Sequence, residues 1–149
     1  LVQGETLLRY AFPVRFAALA LAVMLAACDN GESPTAPTPN PTVTETFTGS
    51  ITRNGSQLHG FVATAAGTVT ATITAVDPAD SPAFGFSMGT LDLTTGVCTA
   101  VLTNRTATTS AVLTGNVVGI TPLCLQLFDS SGTIPAEVPV NYTLTVVHP

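Results

Sequence analysis

The stretch Gly67-Thr68-Val69-Thr70-Ala71-Thr72-Ile73-Thr74-Ala75-Val76 decides the fold. Successive side chains of an extended chain point to opposite faces. Val69, Ala71, Ile73 and Ala75 therefore share one face, and Thr68, Thr70, Thr72 and Thr74 the other. That is a half-buried strand with a wet threonine face. The closing stretch repeats the logic: Val138, Val140, Tyr142, Leu144 and Val146 point one way, Asn141, Thr143 and Thr145 the other. Further strands are predicted over 45–52, 58–65, 83–91, 97–103, 110–115 and 123–129, separated by the turn pairs Asn54-Gly55, Asp77-Pro78, Ser81-Pro82, Thr95-Gly96 and Ser131-Gly132. No helical period shows after Thr44. The expectation is an all-β module over residues 45–149, an antiparallel β-sandwich or jelly roll of about eight strands.

Composition agrees. The 149 residues are 46% hydrophobic and only 9% charged, with net charge −5, no Lys and no Trp. About one residue in six is Thr, which keeps β propensity while supplying the polarity that charges usually give. An acidic chain whose cations are four Arg is a poor partner for nucleic acid. So many apolar and β-branched residues exclude disorder throughout.

Residues 1–27 read differently. Arg9 and Arg15 precede an apolar run from Phe16 to Leu25, followed by Ala26, Ala27 and Cys28. A basic flank, a short apolar core and small residues describe a signal peptide, predicted as a signal helix. From Phe16 to Ala27 a helix would reach about 18 Å, short of a hydrocarbon core of about 30 Å. Leu25-Ala26-Ala27-Cys28 resembles the lipobox of bacterial lipoproteins. The resemblance implies cleavage before Cys28, lipid on its sulfur and membrane anchoring. The alternative is a plain secreted protein with a chance Cys. Asp29 resembles the inner-membrane retention signal of enterobacterial lipoproteins, though either membrane stays open. The leader carries +1 from Arg9, Arg15 and Glu5, and the remainder −6. That sign change agrees with export from a bacterial cytoplasm. The expected location is the bacterial cell envelope, periplasmic or surface-exposed.

Residues 28–44 read as a lipidated Cys and a Pro/Thr-rich linker. Pro34, Pro37, Pro39 and Pro41 favour extended polyproline II, and the segment has too little apolar mass to offset ordering. Of the three Cys, two remain once Cys28 is acylated. In an exported protein Cys98 and Cys124 are predicted to pair, closing a loop of about 25 residues worth roughly 3–4 kcal/mol. The alternative is two free buried thiols. Cys98 alternates with Ala100 and Leu102, and Cys124 with Gln126 and Phe128, so the pattern leaves open which face is the core.

Several segments resemble the bacterial pre-peptidase C-terminal domain: Phe47-Thr48-Gly49, His59-Gly60-Phe61-Val62, Gly67, Leu123-Cys124-Leu125-Gln126-Leu127-Phe128-Asp129 and Tyr142-Thr143-Leu144-Thr145-Val146. Pro122-Leu123-Cys124 replaces the usual glycine-aromatic pair before the penultimate strand. The resemblance implies a non-catalytic β-sandwich appendage, in some collagenase relatives one that binds calcium and matrix protein.

Candidate chemistry is sparse. The sequence has no Gly-x-Ser-x-Gly, His-Glu-x-x-His or P-loop. His59 lies beside an apolar run, where a structural role is commoner than catalysis, and His148 is expected at a frayed end. Asp77 and Asp80 are candidate Ca²⁺ ligands, which Asp129 and Glu137 could join only if the loops meet; Asp-Pro is also a plain turn former. Phe84 and Phe86 offer an apolar patch or core packing. Asn54, Asn104 and Asn141 head chance glycosylation sequons. No cofactor is called for. The reading is a lipid-anchored envelope protein displaying a non-catalytic interaction or structural module, with an envelope protein or polysaccharide as partner. The alternatives are a carbohydrate- or matrix-protein-binding module, with or without Ca²⁺, and a hydrolase with an unrecognised site.

Overall fold

The computed structural model describes residues 40–149. The expected signal peptide, the expected lipidation site Cys28 and most of the expected linker lie outside the described residues. Eight strands follow in order: β1 (Val43–Ile51), β2 (Ser56–Ala63), β3 (Gly67–Asp77), β4 (Phe84–Leu91), β5 (Cys98–Ala107), β6 (Val112–Val117), β7 (Thr121–Phe128) and β8 (Val140–His148). The first sheet has the order β1-β8-β3-β6 and the second β2-β7-β4-β5, all pairs antiparallel. The fold is a β-sandwich. β1 begins two residues inside the expected linker, because Val43 and Thr44 pair with His148 and Val147.

The core lies between the sheets. The first contributes Ile51, Val69, Ala71, Ile73, Val140, Tyr142, Leu144 and Val146; the second contributes Phe61, Ala63, Phe84, Phe86, Met88, Leu123, Leu125 and Leu127. Phe84 and Phe86 are thus core residues. The outer face of the first sheet carries the threonines, in rows such as Thr46, Thr145 and Thr72 across β1, β8 and β3. The alternation in β3 breaks once. A bulge between Ile73 and Ala75 inserts an extra residue, which reverses the facing beyond it. Ala75 is exposed and Val76 packs on the core, contrary to the simple alternation. Val138, grouped with the inward residues of the last strand, lies before β8 and is exposed.

The pairing of Cys98 with Cys124 is present, and the face question is resolved. Leu123, Leu125 and Leu127 face the core, so Cys124 and Phe128 lie on the outer side of the second sheet. β4 separates β5 from β7. Strands two apart stand roughly 9–10 Å from each other, yet the two Cys Cα atoms are 5.9 Å apart. β5 must therefore lean over β4, and Gly89 permits it. Gly89 sits opposite Cys124, and a Cβ there would lie 1.9 Å from the Thr99 carbonyl oxygen. Pro122 is tolerated in β7 because it lies past that strand's last pair with β4, Leu123 with Thr90.

Candidate functional site

The two long sides of the sandwich differ in chemistry. Where β1 meets β2, an aromatic and polar seam closes the gap. His59 Nε2 and Tyr142 Oη share a hydrogen bond of 2.8 Å between the sheets. Phe47 stacks on the His59 ring with centroids 5.0 Å apart. Next along the seam, His148 Nε2 lies 2.9 Å from Glu45 Oε1, and Phe61 packs against the His148 ring at 5.1 Å. Burial holds the His59 pKa below its ordinary value and pushes the Tyr142 hydroxyl up to about 12. His148 is not frayed. It is 2% exposed, and the Pro149 carbonyl oxygen accepts the Thr64 N–H at 2.8 Å. The seam is occupied by its own partners and reads as a lock between the sheets.

The carboxylates expected in loops are dispersed or already employed. Asp77 ends β3 opposite Asn141, and Asp80 is exposed in the following turn. That turn closes on itself: the Ser81 N–H and hydroxyl both donate to the Pro78 carbonyl, at 3.1 and 2.5 Å. Asp129 accepts backbone N–H groups from Asn54 at 3.1 Å and from Gly132 at 2.9 Å, tying the β1–β2 turn to the β7–β8 loop. Burial works to raise its pKa, but the bonds from Asn54, Ser131, Ile134 and Gly132 outweigh it and keep the carboxyl below the usual range. Arg53 Nε donates to the Ile134 carbonyl at 3.0 Å in the same junction. Among the described residues no group of three or more His, Cys, Asp or Glu is placed to hold a metal ion.

The other long side, between β5 and β6, is open. A cleft of about 430 Å³ enters the sandwich there. Its depth is formed by Val69, Met88, Leu102 and Leu123, its rim by Val101 and Val118. Gly115 lines it from β6; a Cβ there would lie 3.2 Å from Met88 Cε and 3.5 Å from Leu102 Cδ1. No ionisable side chain lines the cleft among the described residues. Its polar members are partly engaged: Asn116 Oδ1 accepts from the Thr68 hydroxyl at 3.0 Å, and the Thr121 hydroxyl donates to the Gly119 carbonyl at 2.9 Å. Val101 is 71% exposed, Val118 98% and Ile120 78%. Leu93 and Val97 are also exposed, on the β4–β5 hairpin. Asp92 shapes that hairpin. Its Oδ1 accepts the N–H of Thr94 at 2.8 Å and of Thr95 at 3.1 Å, bonds that lower its pKa. Sequence reasoning missed this site. Its signal was Val117-Val118-Gly119-Ile120, an apolar run across a connection between strands, where polar residues are the rule.

No family model matches the chain. No curated protein matches it either. Among solved structures the fold is similar to PliG of Aeromonas hydrophila, a periplasmic lysozyme inhibitor of g-type lysozyme. The TM-score is 0.50 at 18% sequence identity, over 74% of this chain and 90% of that one. At that identity the likeness is one of fold.

Proposed function

We propose that this protein is an exported, non-catalytic β-sandwich held at the cell envelope by lipid on Cys28, and that it works by binding another protein. The open β5–β6 side carries the reading. A sandwich that seals one side with paired aromatic and polar groups leaves a cleft and several large aliphatic residues uncovered on the other. Exposed apolar surface of that kind marks interaction sites. The disulfide supports an oxidising compartment. The fold likeness to a periplasmic inhibitor supports a role exercised through a partner rather than through chemistry.

A polysaccharide partner has less in its favour. The first sheet offers a shallow depression walled by Thr48, Ser50, Asp77, Asn141 and Thr143, but its one aromatic wall, Tyr142, is buried and engaged with His59.

The test has two parts. A g-type lysozyme is the first partner to try, by calorimetry and by residual lytic activity, followed by capture from envelope extracts. The expected result is saturable binding of a protein that weakens with Val118→Asp or Ile120→Asp. No binding at all refutes the reading, and protein binding that ignores both substitutions refutes its assignment to the β5–β6 side. Labelling with a fatty acid is expected to mark the wild type and not Cys28→Ser.

A further inference from the structure

We infer that the β5–β6 cleft seats one large uncharged side chain from an extended, basic segment of the partner polypeptide. This rests on the protein-binding role proposed above and names its point of contact.

The walls set the first requirement. They are aliphatic, with Met88, Leu102, Val69 and Leu123 at depth and no ionisable group among the described lining residues. A charge or an unpaired polar group brought there would lose its water without compensation. The entering group is therefore apolar. Gly115 keeps the space: any side chain at that position would point at Met88 and Leu102 and fill it. A pocket of this size with a few polar atoms at its mouth matches those that hold interface anchors.

The flanking backbone sets the second requirement. β5 and β6 each terminate a sheet, and among the described residues no strand pairs with their outer edges. Unpaired N–H and C=O groups on both lips offer a ladder to an extended polypeptide. A lipid chain can enter an apolar cleft but has no use for that ladder.

Charge sets the third. Residues 40–149 carry Glu45, Asp77, Asp80, Asp92, Asp129 and Glu137 against Arg53 and Arg105. Close to the cleft, Asp92 is exposed on the hairpin that follows Thr90 and Arg105 is exposed further along β5, so the acidic sign is that of the module as a whole. A field of this sign attracts a basic segment and repels a second copy of the same chain.

The test uses the full chain expressed in its native host, with the photo-crosslinker benzoylphenylalanine at the position of Val101. A control carries the probe at the position of Thr46, on the threonine face. Adducts are mapped to the residue by peptide mass spectrometry. The expected adduct is on an aliphatic, Met or aromatic residue of another protein, with Lys or Arg close by in its sequence. Gly115→Val and Val118→Asp are each expected to cut its yield at least tenfold; Val118, 98% exposed, leaves the core untouched, so Val118→Asp does so without lowering Tm. Adducts to lipid, to a second copy or to an acidic segment overturn the inference, as does a yield indifferent to both substitutions. Capture of a protein at Thr46 but not at Val101 also overturns it while leaving the binding role intact. Silence at both positions takes down both.

Discussion

Gly89→Ala is the sharpest test of how the second sheet is built. The added Cβ would lie 1.9 Å from the Thr99 carbonyl oxygen, 2.6 Å from its carbon and 2.7 Å from the Ala100 Cα. All three are backbone atoms, so no rotamer relieves the clash. Contact at an ordinary distance requires β5 to retreat by more than about 1 Å, and overpacking of this kind costs about 1–3 kcal/mol. The retreat also draws Cys98 away from Cys124. Their bridge spans 26 residues and contributes about 3.5 kcal/mol in the loop-entropy model. The oxidised variant is therefore expected to lose about 2–3 kcal/mol, a fall in Tm of roughly 10–20 °C at about 4–8 °C per kcal/mol. In a Cys98→Ser, Cys124→Ser background β5 is free to relax, and the same substitution is expected to cost less than about 1.5 kcal/mol, because neighbours in one strained contact do not add. Thermal melts of the four proteins, with thiol titration to confirm the bridge, measure both numbers. A Gly89→Ala protein that melts within about 2 °C of wild type with its bridge closed refutes the lean of β5 over β4.

Other consequences follow. Tyr142→Phe removes the hydroxyl bonded to His59 and is expected to cost about 1–2 kcal/mol in urea unfolding, the penalty for orphaning a partly buried partner. His59 has a folded pKa below its unfolded value of 6.5 because burial disfavours the charged ring. The unfolded chain thus binds the proton first, and stability is expected to fall as pH drops below about 6.5. His59→Gln is expected to flatten that decline, and urea midpoints between pH 5 and 8 report it. Asp129→Ala is expected to cost about 1 kcal/mol, like the loss of a cap, with faster amide exchange at Gly132 and Asn54. Because the folded Asp129 pKa is depressed, its contribution is present above the unfolded value of 3.8 and lost as pH falls through the folded one. Ile120→Asp is expected to leave stability within about 0.5 kcal/mol, since Ile120 is 78% exposed.

The strands were legible because threonine marks the wet face so consistently. Wherever Thr alternates with an aliphatic residue, as in β3 and β8, the period of two leaves no second interpretation. It fails at Ala75, where both readings place a small residue and nothing in the sequence signals the bulge. β7 was ambiguous for a different reason. Leu123 to Phe128 alternates apolar with nearly apolar, because the outer face also carries packing, with the Phe128 ring laid over Gly85. The cysteines were legible as a pair, but not their crossing of β4, since that depends on a glycine 35 positions before Cys124. The cleft was not legible at all. It arises where β5 and β6 end separate sheets, a fact of strand order that no local window contains. The seam on the opposite side hid for the same reason, joining Glu45 to His148 across almost the whole module.

The pairing of β1 with β8 bears on how the protein is made. The two strands run together from Val43 against His148 to Ile51 against Val140, and β8 also supplies the neighbour of β3. Until β8 is in place the first sheet lacks its centre: β1 has no partner in it, and β3 is paired on one side alone, with β6. The first sheet therefore closes only when β8 inserts between β1 and β3. A truncation that removes β8 is expected to leave no folded sandwich, because β1 then has no partner and the core loses Val140, Tyr142, Leu144 and Val146.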